Sequence, residues 1–105
     1  MMAEIEKKWA ACIVYYQDQE SLGNLLDSLQ SQSLKPTAVF IADNNSNQSP
    51  VLGNFSFPVT ITKLTENKGF AAGANTAIRN AIKDDFESLM LLSQDVLQAI
   101  LTHPE

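Results

Sequence analysis

The sequence predicts an α/β domain: a Rossmann-like parallel sheet of about four strands with helices on both faces. Three observations carry that reading. Four short apolar runs alternate with segments of helical spacing. The first and last runs are almost continuously apolar, as strands covered on both faces are. Three of the four runs stop abruptly in small polar residues.

The first run, residues 11–16, is unbroken and contains adjacent Ile13 and Val14 before it gives way to Gln17, Asp18 and Gln19. Leu22, Leu25, Leu26 and Leu29 then fall at i, i+3, i+4 and i+7, which places four leucines on one face of a helix over residues 20–32. Asp18 or Ser21 caps its start, and Pro36 marks its exit. The second run, residues 38–42, ends in Asp43-Asn44-Asn45-Ser46 and so delivers polar side chains to a loop at the sheet's C-terminal edge.

Residues 47–58 carry Pro50, Gly53 and Pro58 and read as irregular structure with room for one helical turn. Over residues 59–64, Val59 and Ile61 alternate with threonines, the pattern of a less buried strand near an edge. Residues 70–82 form a helix rich in small residues, with Ala74, Ala77, Ile78, Ala81 and Ile82 on a common face that can lie close on a sheet. Asn67 and Gly69 make its polar, flexible entry. The last run, residues 88–92, predicts a central strand; it ends in Ser93-Gln94-Asp95, and Val96, Leu97, Ile100 and Leu101 predict a final short helix.

Right-handed crossovers between parallel strands place helices on both faces, and ligands in such sheets bind outside the carboxyl ends of the strands, near a topological switch point. Residues 16–18, 43–46 and 93–95 therefore converge on one rim from loops far apart in the chain.

With 105 residues there is room for one domain, and 45% hydrophobic with 18% charged residues is the composition of a globular one. The formal net charge is -5, and the seven Lys and Arg residues are scattered, which argues against binding nucleic acid through its phosphates. A phosphorylated ligand would need local help from helix N-termini or a metal. Cys12, the single cysteine, has no disulfide partner and sits in an apolar run as core. His103 stands alone near the end and reads as a solvated residue. Neither a G-x-G-x-x-G nor a Walker A pattern occurs. Residues 1–9 lack the apolar segment of a signal peptide and no stretch reaches the length of a membrane span, so the expected location is cytoplasmic, with peripheral membrane attachment through another part left open.

Five pieces, in order, carry a family resemblance. They are Cys12-Ile13-Val14-Tyr15-Tyr16-Gln17; Leu29-Gln30-Ser31-Gln32; Val39-Phe40-Ile41-Ala42-Asp43-Asn44-Asn45-Ser46; Glu66-Asn67-Lys68-Gly69-Phe70-Ala71-Ala72-Gly73-Ala74-Asn75; and Leu91-Leu92-Ser93-Gln94-Asp95. Across residues 11–95 the chain resembles the family 2 glycosyltransferases of GT-A fold, in particular their rhamnosyltransferase-like members.

The resemblance implies a nucleotide-sugar donor, UDP- or dTDP-linked, and inverting transfer with Mg²⁺ or Mn²⁺. It matches Asp43 to the residue that accepts a hydrogen bond from the ring N–H of uracil or thymine, and Tyr16 to an aromatic position beside the base. Gln17 and Asn44 stand in the same loops, and Asn67 and Gly69 match an Asn-x-Gly that lines the nucleotide pocket. Asp95 matches the last residue of the DxD motif, whose carboxylate holds the metal against the diphosphate. Two departures stand out. Tyr15-Tyr16-Gln17 replaces the usual Thr-Tyr-Asn, and Ser93 replaces the motif's first acid. Capping and turn formation explain Asp43, Asn67, Gly69 and Asp95 without a ligand, and those readings stay open.

In the family the general base and the acceptor pocket come from beyond the DxD motif. The expectation is thus a single nucleotide-sugar-binding domain over residues 1–105 with the acceptor-binding part absent, and self-association or a partner chain at the exposed edge. A non-catalytic nucleotide-binding or assembly module is the alternative. A receiver-like signalling domain fits poorly, because Asp18 stands alone after the first strand and no fifth strand is evident.

Overall fold

A computed structural model describes residues 8–93. Gln94, Asp95, His103 and the expected final helix lie outside the described residues. The elements are β1 (Ala10–Tyr15), α1 (Gln19–Ser31), β2 (Ala38–Asp43), β3 (Val59–Lys63), α2 (Phe70–Lys83) and β4 (Leu89–Ser93). The four strands are parallel and stand in the order β3-β2-β1-β4. The four expected strands and the first two expected helices appear, their ends within one residue of the sequence pattern.

Alternation along the central strands divides the core into two layers. Ala11, Ile13 and Tyr15 of β1 and Val39 and Ile41 of β2 face the four leucines of α1, joined by Leu92 and by Phe57 from the β2–β3 connection. Ala10 and Cys12 of β1 and Ala38, Phe40 and Ala42 of β2 face Ala77 and Ala81 of α2. The two helices therefore cover opposite faces. Small residues let α2 come close: a Cβ built on Gly73 would stand 2.8 Å from Val14 Cγ1.

Local chemistry sets the helix ends. Asp18 caps α1, its Oδ1 accepting from the Ser21 amide at 3.1 Å and its Oδ2 from the Ser21 hydroxyl at 2.8 Å. The choice between Asp18 and Ser21 thus falls to Asp18, with Ser21 bracing it. At the far end of α2, the Phe86 amide donates to the Ala81 carbonyl (3.1 Å) and the Asp85 amide to the Ile82 carbonyl (2.9 Å). This is a Schellman motif with Asp85 in the left-handed region at φ 69°. It turns Phe86 back to meet Phe40 edge-on, ring centroids 5.9 Å apart.

Three expectations are corrected. β4 is an edge strand among the described residues, with Met90 and Leu91 substantially exposed and Leu92 buried. A continuous apolar run marks a strand but fixes neither its place in the sheet nor how fully its faces are covered. Ile82 points outward, 57% exposed, because the buried stripe of α2 runs through Gly73, Ala74, Ala77 and Ala81. Residues 47–58 form no helical turn. That connection is held instead by Phe57 in the core, by Phe55 stacked on it at 5.4 Å, and by Gln19, whose side chain bonds both the amide and the carbonyl of Val51.

Candidate functional site

The strand order reverses at β1: the chain steps from β1 through β2 to β3 on one side, then returns through α2 to β4 on the other. A crevice opens where neighbouring strands send their connections in opposite directions. There, a cleft of about 360 Å³ is lined by Val14 and Tyr16 from the end of β1, Asn44 after β2, Asn67, Gly69 and Phe70 at the entry to α2, and Ser93 at the end of β4.

Five of the residues singled out from sequence, Tyr16, Asn44, Asn67, Gly69 and Ser93, are thus brought together. Gln17 lines a different cavity, of about 410 Å³, with Tyr15, Gln19, Asn47 and Gln48. The alternation of side chains at the strand ends sorts the two. Val14 lies on the α2 side of β1 and Tyr15 on the α1 side. The rim that the sequence suggested as one site is divided into two.

Asp43 lines neither cavity and is fully buried. It continues the α1-facing positions of β2, paired with Tyr15 in the sheet register. Its Oδ1 accepts from the Ser46 amide at 2.9 Å, which closes an Asx turn, while its Oδ2 is buried with no partner. The turn organises the rim. Ser46 Oγ accepts from the Gln17 amide (2.9 Å), Gln17 Oε1 accepts from the Asn47 amide (3.0 Å), and Lys63 Nζ donates to the Ser46 carbonyl (2.9 Å). Gln17 and Asn45 take left-handed backbone angles, φ 46° and 63°, to make these turns.

On the cleft side, Asn44 Nδ2 donates to the Gly69 carbonyl at 3.2 Å and ties the β2 loop to the start of α2. Asn44 is 4% exposed and its Oδ1 has no partner. Asn67 Oδ1 accepts from the Gly69 amide at 2.9 Å, holding Gly69 at φ 91° as the first residue before α2. The helix start carries no side-chain cap and no acidic residue in its first turn.

Among the described residues no group of three or more His, Cys, Asp or Glu could hold a metal, and no carboxylate lines the cleft. The side-chain oxygens of its lining residues, Tyr16, Asn44, Asn67 and Ser93, belong to neutral groups. Burial pushes the Cys12 thiol up to about 11, so it is an unreactive core group. The Tyr15 hydroxyl is raised by burial and then by the nearby Asp43 carboxylate.

Residues 10–97 match the family model described as Glycosyl transferase family 2. The chain belongs to glycosyl transferase family 2. It is 36% identical over 98 residues to the uncharacterized glycosyltransferase YfnE of Bacillus subtilis (strain 168), an alignment that covers 86% of this chain and 25% of that protein. The chain thus spans about a quarter of the length of this relative. No helix among the described residues is long and apolar enough to cross a membrane.

Sequence reasoning missed Val14 and Phe70 as cleft walls. A signal for Phe70 was present: it is a large apolar residue at the first position of α2 and lies off that helix's buried stripe, 48% exposed. Val14 carried none, because the residue looks like any other in an apolar strand.

Proposed function

We propose that the chain is the donor-binding domain of an inverting glycosyltransferase and takes a UDP- or dTDP-sugar in the cleft at the β1/β4 switch point. The observation that carries this reading is the cleft itself: four chain segments remote in sequence contribute polar or aromatic groups to one crevice in a family 2 domain. Tyr16, nearly half exposed, offers a ring face to a base. Asn44, Asn67 and the Gly69 backbone offer acceptors and donors to the ribose and the diphosphate. Asp43 holds the rim together through Ser46; a second duty as acceptor for the base ring N–H, as the family resemblance implies, would require its buried Oδ2 to open towards the cleft.

Mg²⁺ or Mn²⁺ would be held by Asp95, by neutral oxygens of the cleft and by the donor's own diphosphate, a ligand set that suits an ion which keeps few protein ligands. When bound, such an ion neutralises charge on the departing diphosphate. The Gln94-Asp95 sequence favours dTDP-rhamnose as the donor. A non-catalytic nucleotide-binding module is the second reading, favoured by Ser93 where the family has an acid.

Calorimetric titration with UDP and dTDP, each with and without Mn²⁺, tests the proposal. Metal-enhanced binding that Asp95→Ala abolishes is expected. Absence of binding to either nucleotide would sink the donor-site reading, and nucleotide binding without transfer by the natural protein would favour the second.

A further inference from the structure

We propose that Ser46, which lies outside the cleft, is a positioning residue for Tyr16: it fixes the backbone from which that ring is presented to the cleft. This rests on the reading of Tyr16 as the wall that faces the base, and it names what sets the direction of that wall.

Two soft torsions decide where a side chain leaves its backbone, and both are set once the peptide groups on either side of the Cα are held. Tyr16 stands just past β1, beyond the register that pairs Tyr15 with Asp43. Both of its peptide groups are nevertheless tied to the loop after β2. In the peptide before it, the Tyr15 carbonyl accepts from the Asn44 amide at 2.9 Å. In the peptide after it, the Gln17 amide donates to Ser46 Oγ at 2.9 Å. The first bond is backbone to backbone, so any residue but proline at position 44 has the donor for it. The second needs a side-chain acceptor, and the serine hydroxyl supplies it.

Ser46 is itself firmly placed. It is 2% exposed, and each of its polar atoms is bonded to a different residue. Its amide donates to Asp43 Oδ1, its carbonyl accepts from Lys63 Nζ and its Oγ accepts from Gln17, all at 2.9 Å. The C-terminal ends of β1, β2 and β3 therefore meet at one residue.

What Ser46 holds is a conformation the chain does not favour. Gln17 has φ 46°, in the left-handed region that residues with a side chain rarely adopt. Only Gln17 and Asp18 separate Tyr16 from α1, so the turn has little slack. Gln17 Oε1 closes the clasp from the other side by accepting from the Asn47 amide at 3.0 Å. Loss of the Ser46 acceptor frees the peptide between Tyr16 and Gln17 to rotate, and the Tyr16 ring swings with it. Neither Ser46 nor its partners Asp43, Lys63 and Gln17 line the cleft, so an effect of Ser46 on binding there passes through the backbone to Tyr16, which does.

The test is a double-mutant cycle on the whole chain, read by calorimetric titration with UDP in the presence of Mn²⁺ and by melting curves. Ser46→Ala is expected to weaken UDP binding about fivefold. Tyr16→Ala, which removes the ring, should weaken it about tenfold. In the Tyr16→Ala background, Ser46→Ala should cause less than a twofold further loss. Gln17→Gly added to Ser46→Ala should restore the melting temperature, because glycine takes the left-handed angle without penalty, and should leave the UDP affinity low. That separation of stability from affinity is one a merely structural serine would not give.

Undiminished UDP affinity in Ser46→Ala, a loss equally large in the Tyr16→Ala background, or affinity that returns together with the melting temperature overturns the inference. A double variant of Ser46 and Gln17 that does not fold overturns it too, since Ser46 is then a folding residue. In each of these cases, UDP binding by the unaltered chain leaves the donor-site reading standing. If the unaltered chain binds no UDP, both fall.

Discussion

Gly73 of α2 lies directly against Val14 of β1, with 2.8 Å between Val14 Cγ1 and the place a Cβ would take on the glycine. This approach lets a helix of alanines seat itself on the sheet, and Val14 is also a wall of the cleft. The packing of α2 and the shape of the candidate site are therefore one geometry.

Gly73→Ala has two opposed effects. Helix propensity favours alanine by about 1 kcal/mol, and overpacking against a stiff β-branched side chain costs about 1–3 kcal/mol. The clash should win. Net destabilisation is expected in denaturant unfolding, and combining it with Val14→Ala should return part of the loss as a coupling energy.

Asp43→Ala removes the acceptor of a buried turn and should cost about 1–3 kcal/mol. Asp43→Asn keeps an oxygen for the Ser46 amide and should stay within about 1 kcal/mol of the parent stability. If the base ring N–H pairs with Oδ2, Asp43→Asn should still weaken uridine binding. A calorimetric titration beside a melting curve separates the two duties.

The cap of α1 predicts a graded series. Asp18→Ala loses both bonds to Ser21 and should cost about 1 kcal/mol, whereas Asp18→Ser should keep most of that. Thermal midpoints of the two variants provide the comparison.

At the end of α2, Asp85 occupies a left-handed position with φ 69° that glycine adopts without penalty. Asp85→Gly is expected to stabilise the domain by about 0.5–1 kcal/mol, the reverse of most glycine substitutions. A lowered midpoint would show that the Asp85 side chain does something the Schellman motif does not require.

Alkaline pH should destabilise the fold through its buried thiol. The Cys12 pKa rises from 9.0 to about 11 on burial, so the unfolded chain releases this proton first as pH increases. The contribution is complete below pH 9 and is lost progressively towards about 11. Tyr15, raised chiefly by burial, adds in the same direction. Unfolding midpoints followed from neutral pH to about 11 should fall less steeply in Cys12→Ala than in the parent.

Local pattern by itself determined the elements of this protein and the parallel, two-layered class of the sheet. Each strand and helix must hide a particular set of side chains, and that demand is written in spacings of two, three and four residues: the leucines of α1 and the apolar runs of β1 and β2 leave little choice. The same pattern located the loops from which Tyr16, Asn44, Asn67, Gly69 and Ser93 come. Tertiary structure alone decided which strands pair. It put β4 at an edge among the described residues, opened the cleft between β1 and β4, and sent Asp43 and Gln17 to the other side of the sheet from Asn44. It also made Asp85 a helix terminator and Phe57 a core residue. Those outcomes depend on backbone bonds and contacts between segments tens of residues apart, and such pairings have no period that a single stretch of sequence can display.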